Sequence, residues 1–180
     1  MTFELRAPLA PDHQEILHRI YTEAFPIDEQ RPWPFILAPT HSAGPVLYGI
    51  YTADSTEPLG LVTLWFFDGF VYMEHFAIDP SRRSAGIGSA ILKVIDARWP
   101  QPLVIEVEKP ETGPQAQRRI AFYTRNGFST VTTDYIQPPY APDLQPVPLN
   151  IMSTHADACP TPTHIITTLH TQVYNTAPQC

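Results

Sequence analysis

The chain has 180 residues, of which 43% are hydrophobic and 16% are charged, a composition typical of one globular domain with a real core. Its 18 acidic residues outnumber its 11 basic ones, and the net charge of −7 disfavours a nucleic-acid partner. That charge is better suited to a small cationic substrate. No apolar run approaches the roughly 18 residues of a membrane span, so we expect no membrane partner.

Other features of the composition limit the class of protein further. Cys159 and Cys180 lack metal-ligand spacing, so we expect neither a disulfide framework nor a metal site. The N-terminal stretch has no basic patch followed by an apolar core, which predicts the absence of a secretory signal and a cytoplasmic location. We expect residues 1–180 to form one domain, in which residues 153–180 are a C-terminal extension with a terminal helix.

Apolar spacing predicts the secondary structure. In chain order, a helix opening near Asp12 and ending at Pro26 precedes an antiparallel run of strands, in which Asp68-Gly69 marks a hairpin. Helices and strands alternate after it, and the proline-rich residues 137–148 predict a stiff loop. Spacings of three and four predict helices at residues 11–25, 85–99, 114–127 and 162–174. Apolar runs predict strands at residues 45–52, 58–67, 70–78, 102–108, 128–135 and 147–152. This order predicts a mixed three-layer α/β sheet.

The stretch "IDPSRRSAGIGSAIL", residues 78–92, leads from a strand into a helix. Backbone N–H groups at such a turn point outward at the positive end of a helix dipole, which is a cradle for an anion. Gly86 and Gly88 let main chain approach a diphosphate closely, and Arg83 adds a cation at the rim. A dinucleotide fold is disfavoured, because the glycines do not follow the first strand of a parallel sheet. Alone, the motif is weak.

Three motifs together resemble the GCN5-related N-acetyltransferase (GNAT) superfamily: this loop, the strand "LVIEVE" and the segment "AFYTRNGF" at residues 121–128. The resemblance covers residues 1–152 in element order and is specific over 70–128. It implies a three-layer α+β sandwich with a mixed, mostly antiparallel sheet, splayed central parallel strands and flanking helices. It also implies an N-acetyltransferase, an acyltransferase that uses acetyl-CoA as acyl donor and no metal.

The resemblance also implies which residues bind the cofactor. Backbone groups for the pantetheine arm come from the end of a strand, at Phe76, Ala77 and Ile78. The diphosphate loop consists of Arg83, Ser84, Ala85, Gly86, Ile87, Gly88 and Ser89. The chain departs from the family pattern where many relatives carry an asparagine, since that position falls near Ala116. One cofactor contact is therefore missing or supplied by a neighbouring glutamine.

In the family's chemistry a neutral amine attacks the thioester directly, so the site needs a base and a proton donor near the sulfur. Tyr123, in the family's tyrosine position, is the implied donor, and a packed helix tyrosine is the alternative. Glu106 matches the base of ribosomal-protein alanine acetyltransferases and shares a strand face with Glu108. Glu74 is the rival base. Each carboxylate is equally open to a purely structural role.

The acceptor is expected to be a primary amine of a small molecule or peptide. Charged and aromatic side chains could recognise a cation, and the candidates are Glu29, Trp33, Glu108, Tyr135 and Tyr140. They are equally consistent with proline-stiffened surface loops. The other functional class is a CoA-binding regulatory domain without transferase activity, which would not need Tyr123. The terminal helix and apolar last strand are candidates for a homodimer contact.

Overall fold

The computed structural model describes residues 2–38, 44–83 and 86–176. These residues form seven strands: β1 (Phe3–Arg6), β2 (Val46–Thr52), β3 (Gly60–Phe67), β4 (Phe70–Ile78), β5 (Leu103–Glu108), β6 (Ser129–Gln137) and β7 (Val147–Ser153). They also form five α-helices: α1 (Pro11–Ala24), α2 (Trp33–Leu37), α3 (Ile87–Arg98), α4 (Pro114–Arg125) and α5 (Pro162–Thr168). None of the helices built from these residues is long and apolar enough to cross a bilayer.

The strands form one mixed sheet in the order β1-β2-β3-β4-β5-β7-β6. β1 pairs antiparallel with β2, β2 with β3, β5 with β7, and β6 with β7. β4 and β5 run parallel, with Val71 opposite Leu103 and Tyr72 opposite Val104. The predicted α/β fold, a mostly antiparallel mixed sheet flanked by helices, is therefore confirmed.

Two compact units make up the chain, and the first comprises Met1–Phe66 and Met73–Pro100. α1 buries Leu17, Ile20 and Tyr21 at helical spacing, and these side chains pack with Leu47 and Leu61. Burial of this stripe is the main stabilising term for the helix, since a lone helix of this length is marginal in water.

The second unit comprises Phe67–Tyr72 and Gln101–Cys180. Its C-terminal helix α5 is capped by the Thr161 hydroxyl and continues as a π-helical turn over Leu169–Val173. Ile165, Leu169 and Val173 are fully buried, which anchors the segment after the last strand. The predicted terminal helix is therefore present, although its last turn is wider than an α-helix.

The loop between β6 and β7 spans residues 138–146 and belongs to the second unit. Four of its nine residues are proline, and a backbone hydrogen bond of 3.0 Å from Leu144 to Ala141 closes a turn within it. Proline fixes φ, so this loop has little conformational freedom. The stiffness expected from the sequence therefore has a physical basis.

Some expectations about element boundaries were wrong. α1 begins at Pro11 with Ala10 as its N-cap, so Asp12 is not the cap; its carboxylate accepts a hydrogen bond from the N–H of His13. Proline is favoured in the first turn because its φ already suits a helix. The short elements β1 and α2 were not predicted. The single-domain organisation stays a prediction.

Candidate active site

The turn after β4 in the first unit is fixed by one carboxylate. Asp79 Oδ1 accepts hydrogen bonds from the Ser81 N–H at 2.9 Å and the Ser81 hydroxyl at 2.6 Å. Asp79 Oδ2 accepts one from Arg19 of α1 at 2.8 Å. The start of the predicted diphosphate loop is thereby tied to the first helix. Hydrogen bonds from Ser81 and Arg19 hold the pKa of Asp79 at about 2, below its ordinary value.

Asp79→Asn is expected to lower the free energy of unfolding at pH 7 by about 1 kcal/mol, because the amide can still accept from Ser81 but loses the negative charge that pairs with Arg19. Because the folded-state pKa lies below the unfolded one, this stabilisation is present above the ordinary carboxyl pKa and disappears as the pH falls towards 2. Urea unfolding should therefore show a smaller deficit in the free energy of unfolding at pH 2.5 than at pH 7. Asp12→Asn, at an exposed aspartate, is the control; a pH-independent deficit would contradict the role given to Asp79.

Gly86 caps α3 in a conformation that favours glycine, with φ of +90°. A Cβ built there would meet no atom within 4 Å among the described residues, so the space beside this backbone is open. The Ala90 N–H bonds to the Gly86 carbonyl, whereas the N–H groups of Ile87, Gly88 and Ser89 precede the first intrahelical bond. These donors at a helix N-terminus can bind an anion.

Of the other residues predicted to form the diphosphate loop, Arg83 has a defined contact. The exposed Arg83 uses its Nε–H to donate to the Ile78 carbonyl at 3.1 Å, which leaves the terminal guanidinium nitrogens as further donors. Ser84 and Ala85 lie outside the described residues. Arg83 therefore both fixes the end of β4 and keeps a positive charge at the loop.

The end of β4, the predicted pantetheine-binding segment Phe76 to Ile78, runs close to a glycine in β3. A Cβ on Gly60 would lie 2.3 Å from the Ala77 carbonyl oxygen and 3.0 Å from Ile78 Cα. Any side chain at this position would displace the backbone of β4. Gly60 was not among the predicted site residues, although an isolated glycine inside a strand pattern indicates a close approach of backbone.

A buried ion pair lies in the first unit. The Arg31 guanidinium donates to Glu74 Oε1 from Nε at 2.8 Å and approaches it from Nη2 at 2.7 Å, while Trp65 Nε1–H donates to Oε2 at 2.8 Å. The Glu74 side chain is 0% exposed. Burial alone would raise the pKa of Glu74, but the charge of Arg31 and the hydrogen bonds from Arg31 and Trp65 outweigh it and lower that pKa. Glu74, the rival candidate for the base, is therefore ionised and paired with Arg31, so it has a structural role in the fold.

His75 belongs to the same buried region. Its Nδ1 lies 3.1 Å from the Thr63 hydroxyl, and its Nε2 lies 3.0 Å from the Glu29 carbonyl oxygen and 3.2 Å from the Tyr21 hydroxyl. Burial lowers the pKa of His75, so the ring is neutral at pH 7. Glu29 thus contributes a backbone contact here. The half-buried Trp33 stacks on the His18 ring at 4.9 Å, so both first-loop candidates have packing roles.

In the second unit, Glu106 is held by tyrosine hydroxyls. Tyr135 donates to its Oε1, and Tyr174 donates to its Oε2 at 2.9 Å. The Tyr174 oxygen also lies 3.3 Å from the Tyr72 hydroxyl and 3.5 Å from the Tyr140 hydroxyl. We refer to Tyr72, Tyr135, Tyr140 and Tyr174 as the tyrosine cluster. Tyr72 and Tyr174 were missed, because neither the apolar run of β4 nor the helical spacing of residues 162–174 indicates a polar contact.

The phenols of Tyr135 and Tyr174 stay protonated. Burial, followed by the negative charge of Glu106, raises the pKa of both Tyr135 and Tyr174 well above the ordinary value. Protonated phenols can only donate to a carboxylate, which has no hydrogen of its own when ionised. The arrangement therefore favours a charged Glu106 in a fixed orientation.

Tyr123 lies on α4, with its ring between Phe122 and Phe128 at centroid distances of 5.2 and 5.1 Å. Burial raises the pKa of Tyr123 to about 12, against the opposing effect of Arg119. Within the described residues its hydroxyl has no hydrogen-bond partner. A neutral phenol without an internal acceptor is available to donate to a ligand.

Glu108, two residues after Glu106, has an ion pair with Arg119 on α4 at 2.5 Å. Its Oε2 is buried and, in the part of the chain that is described, accepts no hydrogen bond. Ala116, at the family's asparagine position, is buried as well and offers no polar side chain. Among residues 2–38, 44–83 and 86–176, no three His, Cys, Asp or Glu side chains form a group that could hold a metal.

A mixed sheet, a glycine-capped helix after β4 and a buried helix tyrosine are the features expected of the acyltransferase class predicted from the sequence. A family model for the GNAT acetyltransferase domain matches residues 47–130. A Bacteroides thetaiotaomicron protein described as a GNAT-family acetyltransferase has 31% identity and a TM-score of 0.80, over 97% of this chain and 98% of that chain. The chain belongs to the GNAT family of acetyltransferases, which confirms the resemblance.

More distant structures share the fold alone. The ribosomal-protein alanine N-acetyltransferase of Escherichia coli has 17% identity and a TM-score of 0.56, over 85% of this chain and 93% of that chain. Arabidopsis thaliana Naa50, solved with the bisubstrate analogue CoA-Ac-MVNAL, has 19% identity and a TM-score of 0.56, over 86% and 99%. No curated protein matches the chain.

Proposed function

We propose that the protein transfers an acetyl group from acetyl-CoA to a primary amine of a small molecule or peptide. The observation that carries the proposal is the open backbone at Gly86, which caps α3 with φ of +90° after the charged Arg83. This cradle fits a diphosphate, because a ligand can approach bare N–H groups without meeting a side chain. The CoA moiety bound by Naa50, a protein of the same fold, is consistent with such a donor.

Each proposed catalytic residue has one task. The acceptor nitrogen bonds to the acyl carbon as the carbon–sulfur bond breaks, so a proton must leave nitrogen and negative charge must be stabilised on sulfur. Glu106 takes the proton, through a water, because it is held as a carboxylate by Tyr135 and Tyr174. Tyr123 donates to the departing thiolate, since its hydroxyl is protonated.

The acceptor is proposed to be cationic before it loses its proton. The net charge of −7 raises the local concentration of cations. Glu108 has a carboxylate oxygen that accepts no hydrogen bond from the described residues, and Tyr140 is half-exposed in the stiff β6–β7 loop. These two residues suit recognition of an ammonium group better than Tyr135, whose hydroxyl is used by Glu106.

Acetyl-CoA is expected to raise the melting temperature of the wild-type protein. A ligand that binds only the native state stabilises it by about 2.7 kcal/mol at a hundredfold excess over Kd. Gly86→Val should remove most of this shift, because a branched side chain would fill the space open to the diphosphate. Differential scanning fluorimetry with and without millimolar acetyl-CoA measures the change in melting temperature for both proteins.

Gly69→Val is the matched control for this prediction. Gly69 is an exposed hairpin glycine with φ of +86°, so the substitution carries a similar conformational cost away from the loop. Its acetyl-CoA shift should equal that of the wild type. Absence of a wild-type shift would contradict the proposed donor, and a shift without thiol release across an amine panel would indicate a CoA-binding regulatory domain.

A further inference from the structure

The C-terminal segment provides a contact to Glu106 that the family assignment does not supply. Tyr174 follows the π-helical turn Leu169–Val173, and its hydroxyl donates to Glu106 Oε2 at 2.9 Å. Wide turns of this kind are frequent at functional sites, where they direct a side chain that a regular helix would turn elsewhere. Leu169, His170 and Val173 of this turn are buried, which holds Tyr174 in place.

The number of hydrogens on each hydroxyl indicates the direction of the hydrogen bonds at Tyr174. A phenol has a single hydrogen, and the Tyr174 hydrogen is used by the carboxylate. The Tyr174 oxygen is then the acceptor for Tyr72 at 3.3 Å and for Tyr140 at 3.5 Å. Donation to the Tyr174 oxygen polarises its own O–H group, so it strengthens the bond to Glu106.

We propose that Tyr174 is a positioning residue for Glu106, which it holds ionised and correctly oriented as the base for the acceptor amine. This inference rests on the proposed function and extends the catalytic machinery to the segment after β7. A carboxylate offers about four lone-pair sites, and two are used by Tyr135 and Tyr174.

The surroundings of Glu106 identify the groups that control its charge. β6 contributes Tyr135, the segment after α5 contributes Tyr174, and these phenols are neutral. On its own strand, Glu108 is paired with Arg119, and the β7 residue opposite Glu106 is the apolar Ile151. Tyr72 of β4 and Tyr140 of the β6–β7 loop act through Tyr174, and His170 lies beyond Tyr135, with ring centroids 5.6 Å apart. The hydrogen bonds from Tyr135 and Tyr174 favour the ionised form of Glu106.

Tyr174→Phe removes one donor and keeps the ring, so the carboxylate should take up a proton at a pH about one unit higher. Carbon-13 NMR of carboxyl-labelled glutamates measures this directly, with the Glu106 signal identified by its loss in Glu106→Gln. With an accepted amine, the acid limb of the kcat/KM profile should move upward by the same amount. Relative to the wild type, kcat/KM of Tyr174→Phe should be about tenfold lower at pH values on the acid limb and less than about threefold lower at pH 9.

Tyr51→Phe is the control, because Tyr51 is also buried and its hydroxyl bonds to His13 in the first unit. It should leave both the titration and the acid limb unchanged. An unchanged Glu106 titration in Tyr174→Phe, a titration shift without a shift of the acid limb, or a variant that does not fold would each overturn the inference. A wild-type protein inactive with every amine would instead overturn the proposed function, and the NMR titration would still report on the contact.

Discussion

Tyr123→Phe is expected to lower kcat by a factor of about 10²–10⁴ while the Kd for acetyl-CoA stays nearly constant. The substitution removes only the hydroxyl, since the ring contacts with Phe122 and Phe128 are kept. A phenol with a pKa of about 12 gives up its proton less readily than a thiol does, so it first stabilises the developing thiolate as a hydrogen-bond donor. Single-turnover thiol release and isothermal titration with CoA separate the two effects.

The pKa also predicts a pH profile. Because burial raises the pKa of Tyr123 to about 12, the hydroxyl keeps its proton up to at least about pH 11, and it should produce no alkaline fall in kcat below that pH. Tyr48→Phe is the control, since Tyr48 is buried to a similar degree in β2. An unaltered chemical step in Tyr123→Phe would make Tyr123 a packing residue.

Arg31→Met is expected to lower the free energy of unfolding at pH 7 by about 3–5 kcal/mol, the usual cost of leaving a buried charge without its partner. The Glu74 side chain is fully buried, and the Arg31 side chain is 7% exposed. Solvent therefore cannot replace the lost guanidinium. Chemical unfolding followed by tryptophan fluorescence would measure the loss.

The sign of the pH dependence tests the explanation. Without Arg31, burial becomes the dominant influence and raises the pKa of Glu74. Below about pH 4 the carboxyl should then be neutral, and a neutral carboxyl destabilises the folded state less than a buried charge does. The loss in free energy of unfolding caused by Arg31→Met should therefore be smaller in acid than at pH 7. It should also be smaller in the double variant that carries Glu74→Met as well. Arg6→Met, which breaks the exposed pair with Glu4, should cost about 1 kcal/mol or less. A deficit that is the same at pH 4 and pH 7 would refute the charge argument.

Most of the fold could be predicted because its long elements have clear periodicity. α1 buries an apolar stripe at helical spacing, and β3 and β4 are long apolar runs that are buried over most of their length, so sequence patterns reveal all three elements. β1 and α2 have four and five residues, too few for a period to stand out. The Asp12 cap was wrong because a proline in the first turn was given less weight than a carboxylate.

The candidate site was predicted only where it is local in sequence. The loop around Gly86 and the Tyr123 helix are continuous motifs, so they can be recognised in a single chain. The partners of Glu74 and Glu106 are not: Arg31 is 43 residues before Glu74, and Tyr174 is 68 residues after Glu106. No periodicity connects such pairs, because only the folded chain brings them together. The roles assigned to the site residues therefore stay predictions.

The proline-rich β6–β7 loop has a consequence for how an acceptor would be selected. A flexible loop can wrap around ligands of different shape, but it loses conformational entropy each time it does so. The loop that carries Tyr140 has four prolines in nine residues, so most of that entropy is already absent before any ligand arrives. Acceptors should therefore bind beside this loop without a large conformational change. Acceptors that fit should bind rapidly, and the loop should adapt little to those that do not.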